Sequence, residues 1–212
     1  MNFKIISPKI TDPDLLLPKQ ILSLRTKDEI SCCSISDTTI EHQDAHKVSF
    51  DQVIFKNVTI TESSLTGIEL MDVIFDHCDL SNVDFTNAII HRTEFRNCKL
   101  IGTDFTRGRF QNVYVKDCLG DFATFRLANL KQVAFDDCLL RNSDYYQSNF
   151  QKVAFSRCNI DQAMLAGTKL GGMDLSDCEF SGLVVDIQDL EGCIISPQQA
   201  VSFVGLLGLV IK

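Results

Sequence analysis

Apolar residues recur at every fifth position over most of this chain, from Ile30 to Ile195. Every residue in that span whose number is a multiple of five is apolar or aromatic, apart from Gly120. A chain with 45% hydrophobic residues would fill only about half of these positions by chance, so the pattern indicates an internal repeat. We call the multiple-of-five residue the centre of each repeat.

A second restricted column lies two residues before each centre and holds small or β-branched residues. Its members include Val48, Val53, Val58, Ser63, Ile68, Val73, Cys78, Val83, Ala88, Thr93, Cys98 and Thr103. The residue between the two columns is often polar, as at Asp79 and Asp84. Two inward residues around one outward residue match strand alternation over three positions. A period of five fits neither a helix nor a continuous strand.

The remaining two residues of each repeat must turn the chain. The position two after the centre holds Gly at 67, 102, 167, 172, 182 and 192, and Asn at 57, 82, 87, 97, 112 and 142. Gly and Asn tolerate positive φ, which the third residue of a type II turn requires. Each repeat is therefore predicted to form one short extended edge followed by one corner.

Four corners close a square, so one coil should take 20 residues. The cysteines support this length independently, because six of them are spaced by 20 without a slip. They are Cys78, Cys98, Cys118, Cys138, Cys158 and Cys178. About eight coils, stacked at the ~4.8 Å spacing of adjacent strands, would make a rod about 40 Å long.

These features make the chain resemble the pentapeptide-repeat family, whose repeat is written A(D/N)LXX. The segments 78–82 (Cys-Asp-Leu-Ser-Asn) and 83–87 (Val-Asp-Phe-Thr-Asn) match that pattern, as does 128–130 (Ala-Asn-Leu). The resemblance covers most of the chain. It implies an all-β fold, a right-handed quadrilateral β-helix.

The two ends of the chain fall outside the repeat of residues 28–195. Residues 1–27 contain Pro8, Pro13 and Pro18 and are expected to form an irregular arm that covers the first coil, because an open end exposes core side chains. Residues 196–212 begin with Ser196 as a helix N-cap and Pro197 at the first helical position. A short capping helix is predicted from residue 198 to 207, before Gly208 ends it.

Composition narrows the class of partner. The formal net charge is −8, which argues against direct binding of nucleic acid or of an anionic membrane surface. We find no pattern of a signal peptide and no apolar segment of about 20 residues. A single domain with free thiols in a reducing compartment, the cytoplasm, is therefore expected.

Eight of the nine cysteines occupy the inward column of small residues. A disulfide or metal ladder is one interpretation, and small apolar filling of a narrow interior is the other. The second is favoured because CxxC spacing is absent and a vertical stack of thiols cannot surround a tetrahedral ion. No cofactor or metal is predicted.

Gly120 leaves a gap in the core that Leu119 or Phe122 could fill. It marks either a docking notch or a tolerated irregularity, and the second interpretation is favoured.

The catalytic possibilities are few, and we do not expect an enzyme. The four histidines, His42, His46, His77 and His91, lie at predicted outward corners, and no glycine-rich phosphate loop opens a helix.

The charged residues are distributed unequally among the faces of the predicted rod. The face centred on 75, 95, 115, 135, 155 and 175 carries Asp76, Glu94, Asp117, Asp136, Asp137, Asp174 and Asp177 against Arg96, Lys116 and Arg157. A neighbouring face carries Arg92, Arg109, Lys131, Lys152 and Lys169.

Within the family, a rod of this length followed by a short apolar tail resembles the Qnr-like quinolone-resistance type, here without projecting loops. That resemblance implies a homodimer joined through the tail, which binds DNA gyrase or topoisomerase IV by mimicking B-form DNA and protects it from quinolones. The acidic face is the expected partner-binding surface, and the alternative is a scaffold rod for another protein. The expected dimer interface is Val201, Phe203, Val204, Leu206, Leu207, Leu209, Val210 and Ile211.

Overall fold

The computed structural model describes residues 3–10 and 16–210 and contains one parallel sheet of eight strands in chain order. The strands are β1 (Leu17–Pro18), β2 (Glu29–Glu41), β3 (Ser49–Thr61), β4 (Glu69–Asp76), β5 (Ile89–Arg96), β6 (Arg109–Lys116), β7 (Asn129–Asp136) and β8 (Asn149–Ser156). From β2 onward each residue pairs with the residue 20 positions later, as Ile30 does with Phe50. The all-β solenoid is confirmed. About seven turns carry strands, and a further irregular turn follows.

Each turn has four sides, which we name by their centres. Side A has centres 50, 70, 90, 110, 130, 150 and 170, and side B has centres 55, 75, 95, 115, 135, 155 and 175. Side C has centres 60, 80, 100, 120, 140, 160 and 180, and side D has centres 65, 85, 105, 125, 145, 165 and 185. Strands β4 to β8 run across sides A and B. Sides C and D are joined by single bridges such as Asp79 to Lys99 and Asp84 to Asp104.

The corners have the geometry that the Gly and Asn columns predict. The residue two after the centre has positive φ at every repeat from position 27 to position 172, whether it is Gly67 at 67° or Asn82 at 57°. On sides C and D the corner closes with the i to i+3 hydrogen bond of a β-turn, as between Ala88 N–H and Phe85 C=O at 3.0 Å. The predicted type II turns are thus confirmed on these sides.

The aspartate of the repeat has a structural role at the corners of sides C and D. One carboxylate oxygen of Asp84 accepts the N–H of Thr86 at 2.8 Å, and Asp104 accepts the N–H of Thr106 at the same distance. Asp144 does the same for Tyr146. This local bond satisfies a backbone donor where the chain leaves the strand direction. An acidic residue before the centre therefore stabilises the turn as well as adding surface charge.

The interior is a stack of the predicted columns. Aromatic rings lie one above another at the spacing of the turns, with centroids 4.6 Å apart for Phe55 and Phe75 and 5.1 Å apart for Phe75 and Phe95. All nine cysteines lie in the described ranges and are free thiols. The Cys98 thiol donates to the Arg96 carbonyl at 3.2 Å, and burial raises the pKa of Cys178 to about 12. The buried cysteines thus fill the narrow interior as small side chains.

The N-terminal arm takes a different path from the one expected. Only its second part covers the first turn, where β1 pairs with β2 and the Ile21 and Leu24 side chains are buried. Residues 3–10 instead run along the A–B corner, back across several turns. The Lys4 C=O accepts from Gln132, while the N–H groups of Ile6 and Lys9 donate to Asn112 and Asp72. The arm is therefore a side strap as well as an end cap.

The end of the solenoid departs from the regular repeat. Positive φ stops after position 172, apart from Gly192 and Gly208, and a 3-10 turn forms at Ile187–Asp189. Within the described residues, β8 has no strand partner on its outer edge. A cleft of about 350 Å³ lies between β8 and residues 169–177, and Phe3 of the arm is one of its lining residues. The sequence thus keeps its five-residue period in this region, whereas the turns of the solenoid no longer stack regularly.

The C-terminal capping helix is present from Gln199 to Leu207, and it is a 3-10 helix. Gln199 fastens it to the last turns: its side-chain oxygen accepts the Ser196 N–H at 2.8 Å, and its amide donates to the carbonyls of Leu175 and Cys178. The Gln199 N–H lies 3.4 Å from the Ser196 hydroxyl, so the two residues bond reciprocally across the turn before the helix. The N-cap is Gln198 and not the predicted Ser196, because the helix begins two residues later than Pro197 indicated. No described helix is long and apolar enough to cross a membrane.

The space beside Gly120 is filled differently from the expectation. Leu119 and Phe122 are 40% and 60% exposed, so neither turns inward. A Cβ atom at Gly120 would lie 2.9 Å from a terminal methyl carbon of Leu140, which already occupies the space. The expectation was wrong because a side chain on the next turn lies directly above the gap, whereas chain neighbours point outward or into the corner.

Candidate protein-interaction surface

The seven predicted partner-binding carboxylates lie along one edge of the rod. Asp76, Asp117, Asp136, Asp137 and Asp177 occupy the B–C corner, and Glu94 and Asp174 lie before their centres on side B. Residues 20 apart stack on successive turns. The chain therefore brings these residues into one strip, which we call the acidic edge.

Every cation of this edge is paired with one of its carboxylates. Arg96 pairs with Glu94, Lys116 lies 3.9 Å from Asp117, and Arg157 binds both Asp136 and Asp137. These are neighbours along the chain or residues 20 to 21 apart, so the repeat itself brings them together. The pairing lowers the local density of free charge. Glu94 is also buried beside Arg96, so the prediction that it contacts a partner was wrong, and six carboxylates remain at the surface against three cations.

Two carboxylates of the edge also have polar partners that hold them in place. The Tyr114 hydroxyl donates to Asp136 at 2.6 Å, and burial together with this bond raises the pKa of Tyr114. Asp174 accepts both the N–H and the hydroxyl of Ser176, which lowers the pKa of Asp174. Within the described residues, Asp76, Asp174 and Asp177 make no ion pair with Lys or Arg.

Side A carries the predicted cations, but two of the five are neutralised. Arg92 makes a two-pronged ion pair with Asp72, with both N–O distances at 2.5 Å, and Lys169 lies 2.8 Å from the buried Asp189. Arg109, Lys131 and Lys152 remain exposed on this side. The exposed Lys4 and Lys9 of the strap add to them. The rod is thus acidic on one edge and basic on side A.

An exposed apolar surface on side C was missed by the sequence reasoning. Ile101, Leu119, Phe122 and Leu139 are 36%, 40%, 60% and 38% exposed, and they surround Gly120. We call these four residues the apolar patch. Its signal in the sequence is a departure from the repeat: Leu119 and Leu139 stand where Asp79 and Asn159 stand in other turns.

The patch carries a local conformational cost. Phe122 has φ of 62°, a left-handed conformation that costs a residue other than glycine roughly 1 to 2 kcal/mol. Asn82 and Asn142, which occupy the same corner on other turns, adopt it more easily. Leu119 and Leu139 also lack the carboxylate that caps a corner. Stability alone therefore does not favour these residues here.

The predicted dimer residues divide into a packed side and an open side. Phe203 packs edge-on against Phe180 at 5.9 Å and closes the last turn, and Val204 is half-buried beside it. The remaining described residues are exposed. They are Val201 at 58%, Leu206 at 38%, Leu207 at 63%, Leu209 at 60% and Val210 at 85%. Ile211 lies outside the described residues. The tail thus covers the end of the rod and leaves an apolar face open.

The residue types that bind metal ions are dispersed over the part of the chain that the structure describes. No group of three His, Cys, Asp or Glu residues there is arranged to hold a metal ion. His42, His46 and His77 are exposed and lie beside single carboxylates. The surfaces described above instead offer charge and exposed apolar area.

Family models match the middle of the chain. A pentapeptide repeat region matches residues 88–165, and a model of eight pentapeptide repeats matches residues 68–107. The chain is a pentapeptide-repeat protein. No curated protein matches the chain significantly.

Pentapeptide-repeat proteins are among the solved structures that are similar to this chain. Full-length QnrB1, a plasmid-mediated fluoroquinolone resistance protein, is 19% identical, with 91% of this chain and 100% of that chain covered and a TM-score of 0.49. HetL, involved in heterocyst differentiation regulation in the cyanobacterium Nostoc, is 14% identical, with 82% and 92% covered and a TM-score of 0.43. The pentapeptide-repeat assignment rests on the repeat geometry and the family models.

Proposed function

We propose that this pentapeptide-repeat protein binds a type II topoisomerase, DNA gyrase or topoisomerase IV, through its acidic edge and protects the enzyme from quinolones. The proposed role is non-catalytic. The observation that carries the proposal is the acidic edge itself, a strip of carboxylates on a rigid rod. The resemblance to Qnr-like proteins, drawn from the repeat rod and its apolar tail, supplies the class of partner.

Electrostatic mimicry here must use an edge of the rod and not its whole circumference. B-form DNA carries one charge per about 1.7 Å, or nearly three per ~4.8 Å turn. The net charge of −8 over the whole chain is far lower. Asp76, Asp117 and Asp177 project from the B–C corner at intervals of two and three turns. Charges arranged in this way can steer the rod into a basic groove and orient it there.

The apolar tail supplies the second part of the proposal, a two-fold dimer. The helix closes the rod through Phe203 and leaves Val201, Leu206 and Leu207 exposed. An isologous contact would bury the same residues of a second copy. At about 25 cal/mol per Å², several such side chains contribute enough to hold a dimer after association costs.

A supercoiling assay tests the protective function directly. DNA gyrase is incubated with ciprofloxacin, with and without this protein, and supercoiled product is measured. We expect the protein to restore supercoiling. The variant with Asp76, Asp117 and Asp177 changed to Lys should lose this effect, because it reverses the exposed charges and spares Asp136, which Tyr114 holds in place.

A matched variant controls for net charge. Glu69, Asp186 and Glu191 are exposed carboxylates away from the acidic edge, and their change to Lys alters the total charge equally. This control should protect gyrase like the unmodified protein. If both variants behave alike, the acidic edge is not the binding surface. If the unmodified protein gives no protection, a scaffold role for another protein partner becomes the better proposal.

A further inference from the structure

The four residues of the apolar patch come from neighbouring turns and form one continuous surface. Leu119 pairs with Leu139 as a parallel bridge. Ile101 and Phe122 occupy the C–D corner on adjacent turns, and Gly102, directly below Phe122, has no side chain to separate them. The patch therefore forms one raised apolar area with the Phe122 ring as its most exposed part.

Three independent departures from the repeat meet at this patch. Leucines replace the corner-capping Asp or Asn at positions 119 and 139, an aromatic residue takes a left-handed corner at 122, and the centre at 120 is Gly. Gly120 leaves room for the Leu140 side chain, whereas the residues at 119, 122 and 139 do not improve the turn. Surface residues that break a repeat without improving the turn are found where a protein uses its surface for binding.

The size of the patch indicates the kind of complex. Its exposed area is on the order of 350 Å², similar to the largest apolar patch on a typical monomer, which is often functional. A stable interface buries about 800 Å² on each partner, so the patch alone does not hold two copies of the chain together. An exposed aromatic ring within a small apolar area matches instead the central contact of a larger interface.

The rim of the patch supplies the rest of such an interface. Lys99 pairs with Asp79 and Arg141 with Asp121, so the charges beside the patch are already neutralised within the rod. On the other flank, Asp117 and Asp137 precede Leu119 and Leu139 by two residues. The acidic edge and the apolar patch are thus adjacent strips on one side of the rod.

We propose that the acidic edge and the apolar patch form one composite interface, in which the Phe122 ring enters an apolar pocket beside a basic groove of the topoisomerase. The inference rests on the proposed function, since it takes the same partner. The carboxylates orient the encounter, and the patch provides the short-range contact that slows dissociation.

The repeat itself offers a variant that should remove the patch without harming the fold. Leu119→Asn and Leu139→Asn restore a residue that can cap the corner, as Asn159 does for the N–H of Asp161. Phe122→Asn introduces the residue found at positions 82 and 142 of the same column. The triple variant keeps the net charge and is expected to melt at or above the temperature of the unmodified protein.

The measurement is the affinity of each protein for DNA gyrase holoenzyme by biolayer interferometry. We expect the triple variant to bind at least tenfold more weakly, mainly through faster dissociation. The matched control is Leu127→Asn. Leu127 is an exposed apolar residue with a left-handed backbone, like Phe122, but it lies at the D–A corner, away from the patch. The control should bind like the unmodified protein.

Each outcome bears on a distinct claim. Equal affinity of the triple variant and the unmodified protein would overturn the composite interface and leave the proposed function standing. Absence of gyrase binding by the unmodified protein would overturn both. Sedimentation of the same samples completes the test, because a change of oligomeric state without loss of gyrase affinity would assign the patch to self-association and refute the inference.

Discussion

The ion pair beneath the N-terminal strap allows a sharp test of the energetics. Arg92 and Asp72 lie 20 residues apart on successive turns, with side chains 17% and 7% exposed. The Lys9 N–H of the strap donates to the same carboxylate at 2.7 Å. The Arg92→Gln variant removes the cation and leaves a buried carboxylate with the strap N–H as its remaining observed partner.

The expected loss of stability follows from this geometry. Removing one member of a buried ion pair costs about 3–5 kcal/mol because the other charge stays buried. The strap N–H offsets part of that cost, so about 2–4 kcal/mol remains. At roughly 2–4 °C per kcal/mol for a chain of this size, the melting temperature should fall by about 5–15 °C.

The matched control is Lys99→Gln. Lys99 and Asp79 have the same spacing of 20 residues, but their side chains are 57% and 26% exposed. An exposed pair contributes about 0–1 kcal/mol, so this variant should melt within about 4 °C of the unmodified protein. Thermal melts of the three proteins by circular dichroism, with hydrogen exchange at the Lys9 amide, make the comparison.

Acid titration tests the same pair from the other partner. Burial opposes ionisation of Asp72, but the Arg92 bond and the Lys9 N–H outweigh it and lower the pKa of Asp72. A carboxylate with a lowered folded pKa stabilises the protein above its unfolded pKa of about 4 and loses that contribution as pH falls through the folded value. The stability difference between the unmodified protein and Asp72→Asn should therefore shrink from pH 7 to pH 3.

Two results would refute this reasoning. One is an Arg92→Gln variant that melts together with Lys99→Gln, which would show that burial does not decide the value of the pair. The other is an Asp72→Asn difference that is independent of pH, which would show that the carboxylate is not the charged partner.

Three further predictions follow from the core and the two ends. Phe110→Asp should unfold the rod, or lower its melting temperature severely, because it places an unpaired charge in the ring stack. Gly120→Leu should destabilise by about 1–3 kcal/mol in urea denaturation, since Leu140 already fills the space. Truncation after Ser196 should convert the proposed dimer into a monomer by sedimentation, and a monomeric full-length chain at micromolar concentration would contradict the dimer.

Much of the fold could be predicted from the sequence because each repeat is a local unit. The fifth-residue column, the Gly and Asn corners and the cysteines spaced by 20 each specify contacts that recur identically on every turn. A residue in a solenoid meets chiefly its own repeat and the turns above and below it. Periodicity therefore determines the shape of the coil, the inward columns and the positive φ at the corners.

The ion pairs, the exposed patches and the path of the N-terminal strap depend on the tertiary structure. The sequence grouped the seven carboxylates on one edge, but it could not show that Glu94 is buried or that Arg157 binds Asp136 and Asp137. Side-chain direction at a corner selects among several equally spaced partners. In the sequence the apolar patch shows only as broken repeats, because the exposure of its four side chains depends on the folded chain. The path of residues 3–10 was not predictable either, since it depends on hydrogen bonds to Asp72, Asn112 and Gln132 from three separate turns. Contacts between a non-repetitive segment and a repetitive surface have no period to reveal them, and only the folded chain brings them together.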